Sequence, residues 1–201
     1  MIKLLGAVPK DVYVACSAGV DSMAALDFLS RKHNVTVAYF DHYTEHGMVA
    51  KHWLWKYCQS KKIPIIFGEL DSPKPKRVSQ EEHWRNQRYA FFDTLPGSVV
   101  TAHHLDDAVE TWVWSSMHGQ PKLPEISRGN VIRPFLTTPK IDLMDWCIRK
   151  NVPWLDDESN QDTKYMRNYI RHAAMPVVQQ INPGIQKTIK KKLLSKLDAV
   201  Y

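Results

Sequence analysis

The sequence predicts an α/β protein: a doubly wound, mainly parallel, five-stranded sheet with helices on both faces, followed by a C-terminal helical extension. Three observations predict it. Five short apolar runs, at residues 12–16, 35–40, 63–67, 98–102 and 131–135, are continuous rather than alternating, as expected of parallel strands buried on both faces. Helix-like stretches separate them, so strand and helix alternate. Polar and charged residues gather directly after the first, second and fourth runs, where open α/β sheets place their ligands.

The first run leads into Ser17-Ala18-Gly19-Val20-Asp21-Ser22 and then a helix-like stretch over 22–30. Small residues at a helix N-terminus let backbone N–H groups wrap an oxyanion, and the Ser17 and Ser22 hydroxyls can donate to phosphate. Asp21 can orient the loop or approach a magnesium ion. The loop lacks the lysine and spacing of a Walker P-loop, and an ordinary strand–helix turn would have similar composition. The second run ends at Asp41-His42 and precedes a helix over 48–61. After the third run, "DSPKPKR" at 71–77 reads as a surface loop. The next helix, 79–95, opens on Ser79 with Glu82 three residues on, a capping box. Glu81, Arg85, Arg88 and Tyr89 form one stripe on it, which also describes a solvated charged face.

The fourth run opens onto His103-His104-Leu105-Asp106-Asp107-Ala108-Val109-Glu110-Thr111 and a helix over 105–118. Asp107 and Glu110, three apart, share a helical face. Paired acids beside a phosphate site suit magnesium, with Asp107 the candidate ligand, or a cationic amine; helix capping by Asp106 and Asp107 competes with that reading. Adjacent histidines rarely face one ion, so zinc is disfavoured. The fifth run is followed by Thr138-Pro139, an N-cap and first-turn proline for a helix over 139–150. Beyond residue 150 the pattern becomes polar over 151–162. A helix over 163–180 carries Arg167 and Arg171 one turn apart, able to grip phosphates bidentately or simply to face solvent. "NPG" at 182–184 breaks it before a last helix over 185–199 with an apolar stripe and five lysines. Residues 1–150 are therefore assigned to the α/β domain and 151–201 to the helical extension.

The 201 residues carry a formal net charge of +6, which leans toward a polyanionic partner such as nucleic acid or nucleotide. The three cysteines, Cys16, Cys58 and Cys147, form no CxxC pair, so neither a disulfide framework nor a zinc knuckle is indicated, and a reducing, cytoplasmic setting is expected. No apolar run approaches the length of a membrane span, and the N-terminus is too soon polar for a secretory signal.

Together these segments resemble the tRNA(Ile)-lysidine synthetases of the PP-loop ATP pyrophosphatase superfamily. The loop 17–22 resembles SGGxDS, with Ala18 where that pattern has its first glycine. "TAHHLDDAVET" at 101–111 is similar to HHxxDxxET, "EEHWRNQRY" at 81–89 to a helix of the form ExxxRxxRY, and "IRPFL" at 132–136 to an RPLL segment. The most specific likeness is "WLDDESNQDTKYMRNYIRHAAMP" at 154–176, carrying Asp157, Ser159, Asn160, Asp162, Arg167, Asn168 and Arg171. The resemblance covers roughly residues 10–185 and implies an adenine nucleotide alpha hydrolase-like fold. It also implies a two-step reaction. ATP adenylates O2 of the wobble cytidine of an isoleucine tRNA with a CAU anticodon, releasing pyrophosphate. The ε-amine of free L-lysine then attacks C2, and AMP leaves.

On this resemblance Ser17, Ala18, Gly19, Val20, Asp21, Ser22, Asp41, His42 and His103 hold ATP with Mg2+. Asp21, Asp107, Glu110 and Arg167 are catalytic; Glu81, Arg85, Arg88, Asn168 and Arg171 meet the tRNA. Cellular members of that family carry further C-terminal domains, so either a minimal version or a truncated chain is expected here. Two alternatives remain: a PP-loop thiolase acting on a tRNA base, for which paired or active cysteines would be needed, and a non-catalytic nucleic-acid-binding protein on a degenerate PP-loop scaffold.

Overall fold

A computed structural model describes residues 1–157 and 166–198. The elements in chain order are β1 (Asp11–Ala15), α1 (Val20–Ser30), β2 (Asn34–Asp41), α2 (Glu45–Lys61), β3 (Ile65–Glu69), α3 (Gln80–Asp93), β4 (Val99–Val100), α4 (Leu105–Met117), β5 (Ser127–Arg128), β6 (Val131–Ile132), α5 (Lys140–Lys150), α6 (Met166–Tyr169), α7 (Met175–Ile181) and α8 (Ile185–Asp198), with a π-helical turn at Ile170–Ala174 between α6 and α7. The sheet order is β3-β2-β1-β4-β6-β5. All neighbours are parallel except β5–β6.

The sheet therefore has six strands, not five. The additional one is a two-residue strand folded back on β6 through Gly129, whose φ of 56° suits glycine. Its residues are exposed and polar, so no apolar pattern announced it.

Strand alternation sends Val12, Val14, Val35, Val37 and Tyr39 to one face, where α1, α2 and α5 bury Met23, Leu26, Leu29, Leu54, Leu143 and Cys147. Tyr13, Ala15 and Ala38 point the other way, against Phe92 of α3. There β3 approaches α3 so closely that a Cβ on Gly68 would overlap the Phe91 ring. A third cluster joins α4 to the C-terminal helices through Val109, Val113, Ile170, Met175, Ile185, Ile189 and Leu193. The lysines of α8 lie outside this apolar stripe.

Two local expectations are corrected. Thr138 does not cap α5: its hydroxyl is turned to the backbone of Lys3, and the Lys140 N–H donates to Asp106 Oδ2 at 2.8 Å instead. The helix expected over 163–180 is helical throughout its described part, from 166 to 181, its first residues lying outside those described, but it is not all α: Ile170–Ala174 form a π-helical turn. Pro176 has no N–H for the carbonyl four residues back, and the Met175 N–H donates to Ile170 O, five back.

The order of strands changes direction between β1 and β4. Ligands of such sheets lie beyond the C-terminal ends of the strands at that point. The loop after β1 and the loop after β4 therefore face one crevice.

Candidate active site

The loop after β1 is closed by its own side chains. The Ser17 N–H donates to Ser22 Oγ at 3.2 Å, and Ser22 Oγ donates to Gly19 O at 2.8 Å. Gly19, at φ −71°, has ordinary backbone geometry. Ala18 is the residue in the left-handed region, at φ 67°, fully buried, with its carbonyl accepting from Leu155 N–H at 2.9 Å. The strain thus falls on the position where the resemblance would have glycine, at a cost on the order of 1 kcal/mol.

Across the crevice, α4 begins with a reciprocal cap. The Asp107 N–H donates to His104 Nδ1 at 3.3 Å, and the His104 N–H donates to Asp107 Oδ2 at 3.0 Å. Capping is thus only part of what Asp107 does. Its other oxygen, Oδ1, accepts from Arg167 Nη2 at 2.8 Å and Arg171 Nη2 at 3.1 Å. Glu110 accepts two bonds from Arg171, at 2.7 and 3.0 Å. Both acids are buried, Asp107 at 7% exposure and Glu110 at 6%. Burial alone would raise the Asp107 pKa, but His104 and Arg167 overcome it and hold the carboxyl well below the usual range. Arg171 is raised: burial opposes its charge, and Glu110 and Asp107 outweigh that.

His104 is not among the site residues expected from sequence, yet it joins the two halves. Its Nε2 lies 3.5 Å from Asp21 Oδ2 and 3.5 Å from Asp107 Oδ2. Burial would lower its pKa, but the carboxylates of Asp107, Asp21 and Asp106 raise it. Lys140, also outside that expectation, brings Nζ to 3.7 Å from Asp21 Oδ2. The doubled histidine of the 101–111 segment is a sequence signal for the first; nothing local points to the second.

His103 and His42 are held in the opposite state. Burial, helped by Arg167, Arg133 and Arg88 against the pull of Asp107, lowers His103 to about 3. Burial and Arg88, against Asp41, lower His42 to about 4. Arg88 is itself lowered, by burial and by Arg85 and Arg167. This side of the crevice therefore combines neutral imidazoles with a cluster of guanidiniums. Arg85 stacks on Tyr89 with Cζ 5.3 Å from the ring centroid, and Arg133 donates to the Tyr89 hydroxyl at 2.8 Å. Glu81 is exposed at the start of α3, apart from these contacts. Asn168 is half-buried on α6, between Arg167 and Tyr169. Ser159, Asn160 and Asp162 lie outside the described residues.

Among the described residues, the buried polar side-chain atoms without a hydrogen-bond partner include Asp21 Oδ1, His42 Nδ1 and Trp84 Nε1. The His42 and Trp84 rings are 5.1 Å apart. Also among the described residues, no group of three or more His, Cys, Asp or Glu side chains is placed to hold a metal ion. Both Asp107 oxygens already accept hydrogen bonds, so the orphaned Asp21 Oδ1 is the better oxygen for a cation shared with phosphates.

Residues 3–178 match the PP-loop domain family. The chain belongs to that family. PP-loop relatives include the tRNA(Ile)-lysidine synthases of Legionella pneumophila strain Paris (31% identical over 198 residues, 90% of this chain and 46% of that protein) and of Thermotoga maritima (31% over 196 residues, 89% and 47%). The same-named protein of Francisella philomiragia is 30% identical over 204 residues, 94% of this chain and 51% of that protein. This PP-loop chain spans about half the length of the curated relatives it matches. Among the described residues no helix is long and apolar enough to cross a membrane.

Proposed function

We propose that the protein ligates free L-lysine to C2 of the wobble cytidine of an isoleucine tRNA with a CAU anticodon, consuming ATP to AMP and pyrophosphate. The observation that carries this reading is the buried carboxylate pair, Asp107 and Glu110, beside the loop 17–22. Its present cationic partners are the guanidiniums of Arg167 and Arg171. A pair so placed suits an incoming ammonium, and a carboxylate there can take the proton that the amine must lose before it attacks.

In the first step the cytidine O2 attacks the α-phosphorus of ATP, the bond to the β-phosphate oxygen breaks, and pyrophosphate leaves. Backbone N–H groups of the loop, with the Ser17 and Ser22 hydroxyls, hold the phosphates. Magnesium would offset phosphate charge when bound. Asp21, through its orphaned oxygen, would be its protein ligand. Neutral His42 and His103, with Arg88 and Arg167, line a surface for the α-phosphate of the transferring adenylyl group, where fixed cations stabilise developing charge. Trp84 and His42 offer an aromatic wall with two unpartnered nitrogens to a base. In the second step the lysine ε-nitrogen attacks C2, Glu110 accepts the proton while ionised Asp107 holds the ammonium beforehand, and AMP departs with the O2 oxygen.

The thiolase alternative is disfavoured by the cysteines. All three are buried, and burial pushes Cys58 and Cys147 up to about 12, so neither is poised as a thiolate. The non-catalytic alternative draws support from the strained Ala18, and the acids and serines retained around the crevice disfavour it.

The test is incubation with ATP, labelled lysine and bulk tRNA. Lysine should appear in tRNA, with AMP and pyrophosphate in solution in equal amounts. ADP as product would rule out PP-loop chemistry. AMP and pyrophosphate without transfer of lysine would remove lysine as the nucleophile.

A further inference from the structure

Helix α2 has a buried apolar stripe and, on its outer side, a second stripe that mixes apolar and cationic side chains. Gly47, Ala50, Leu54 and Cys58 face the sheet and are buried. Met48, Lys51, His52 and Trp55, at i, i+3, i+4 and i+7, form a second stripe turned outward. Together with Asp41, Tyr43 and Phe67 they line an open cavity of about 440 Å³, the Asp41 carboxylate being paired with Lys51. Its aromatic walls are exposed: Tyr43 at 57%, Trp55 at 44% and Phe67 at 40%, with Met48 at 59%. The His52 and Trp55 rings lie stacked, 18° apart, and Lys51 Nζ sits 5.6 Å over the Phe67 ring. A contiguous exposed apolar surface of this kind marks an interaction site.

Its position and its charge say what it meets. Phe67 is paired in register with Tyr39, and Ala15 with Ala38, so the cavity lies level with the start of the loop after β1. It is two strand spacings away, roughly 9–10 Å. The β2–α2 connection joins the two places: His42 faces the crevice, and Asp41 accepts from Tyr43 N–H at 2.8 Å and from Lys51 Nζ at 3.1 Å. Tyr43 is held at φ 55° at the cavity mouth. Helix α2 carries Lys51, Lys56 and Lys61 against Glu45, and the end of β3 with the loop after it adds exposed Lys74, Lys76 and Arg77 against Asp71 and Glu69, the latter hydrogen-bonded to the Tyr43 hydroxyl. Aromatic faces interleaved with cations form a surface on which unpaired bases stack while the backbone follows the positive charge.

We propose that this cavity is a stacking platform for an unpaired nucleotide of single-stranded RNA, one to two residues from the base that enters the crevice. This deepens the function proposed above and rests on RNA being the substrate. Trp55 is the principal stacking face, Tyr43 covers the mouth, and Lys56 meets the adjoining phosphate. Every base has a π-face, so the platform reads strandedness and not sequence.

The probe is a fluorescein-labelled single-stranded RNA heptamer, beside the same sequence as a duplex, at fixed salt. Trp55→Ala should weaken heptamer binding about 5- to 100-fold and leave duplex binding within about twofold, the loss that removal of one stacked base produces. Trp55→Phe should restore most of it. ATP affinity should be unchanged in both variants. Unchanged heptamer binding by Trp55→Ala, or an equal loss for duplex, would overturn the inference. An approach that needs no variant is photocrosslinking of a 4-thiouridine heptamer to the parent chain. Crosslinks should fall on the peptides holding Tyr43 or Trp55, and crosslinks confined elsewhere would overturn it. Self-association of the parent that Trp55→Ala abolishes would assign the face to a second copy instead. Heptamer binding through Trp55 with no lysine transferred to tRNA would defeat the ligase reading and leave the platform standing.

Discussion

Replacing Asp107 by Asn removes one charge from the centre of the crevice while keeping the side chain's shape. The structure sets the cost. The amide retains one carbonyl oxygen, enough to accept from the His104 N–H, and the backbone N–H of residue 107 still donates to His104 Nδ1, so the α4 cap is kept. The two guanidinium bonds to Oδ1 are lost, since the NH2 group can only donate. Stranding a buried charge would cost roughly 3–5 kcal/mol. That does not happen here: Arg171 keeps its two bonds to Glu110, and Arg167, half exposed, can turn to water. The loss is then that of hydrogen bonds to a charged group, about 2–3 kcal/mol. For a chain of this size it should lower Tm by roughly 4–12 °C and leave a folded protein. Turnover in the tRNA lysinylation assay should fall by most of its value, with ATP binding retained.

The pH dependence follows from the same charge. A carboxylate held below its ordinary value of 3.8 contributes stability that is fully present above that value and is lost as pH falls toward the native one. The Tm gap between parent and variant should close below about pH 4, and should also narrow as pH rises above the ordinary histidine value of 6.5, where the His104 charge that Asp107 supports is lost. Near-normal lysinylation by a folded Asp107→Asn protein would refute the catalytic role and return Asp107 to helix capping. A Tm gap independent of pH would refute the electrostatic account.

Three further outcomes are expected. Ala18→Gly relieves about 1 kcal/mol of left-handed strain but loosens the unfolded chain and deletes a buried methyl, so denaturant unfolding should shift by less than about 1 kcal/mol; a large gain in turnover would mark this chain as an impaired copy. Gly68→Ala drives a methyl into the Phe91 ring and should cost about 1–3 kcal/mol of stability, whereas an unchanged unfolding midpoint would mean that α3 stands off the sheet more freely than the structure has it. Lys190, Lys191 and Lys192 changed together to Gln should weaken tRNA binding and flatten its salt dependence by a slope of roughly 0.7–0.9 for each phosphate no longer neutralised, with ATP affinity unchanged; identical salt plots would leave α8 a solvated helix.

The sequence by itself determined what depends on neighbours along the chain. Continuous apolar runs set the strands, small residues marked the loop at 17–22, and the three-residue spacing of Asp107 and Glu110 put both on one face of α4. Such patterns are legible because a strand repeats every two residues and a helix every 3.6. Signals that needed length failed: β5 is two polar residues, and the π-helical turn inside the helix expected over 163–180 is marked in sequence only by Pro176 just after it.

Tertiary structure decided who neutralises whom. Arg167 lies 60 residues from Asp107 in sequence and 2.8 Å from it in space, and either a solvated face or a grip on phosphate was compatible with its spacing to Arg171. His104 became the bridge between Asp21 and Asp107, and Asp106 the cap of α5, because β4 lies between β1 and β6 and brings α4 against both neighbours. The left-handed residue of the loop is Ala18 and not Gly19, and its carbonyl accepts from the N–H of Leu155, far along the chain. Charge pairing in a buried crevice depends on distance and desolvation, and neither is carried by local sequence.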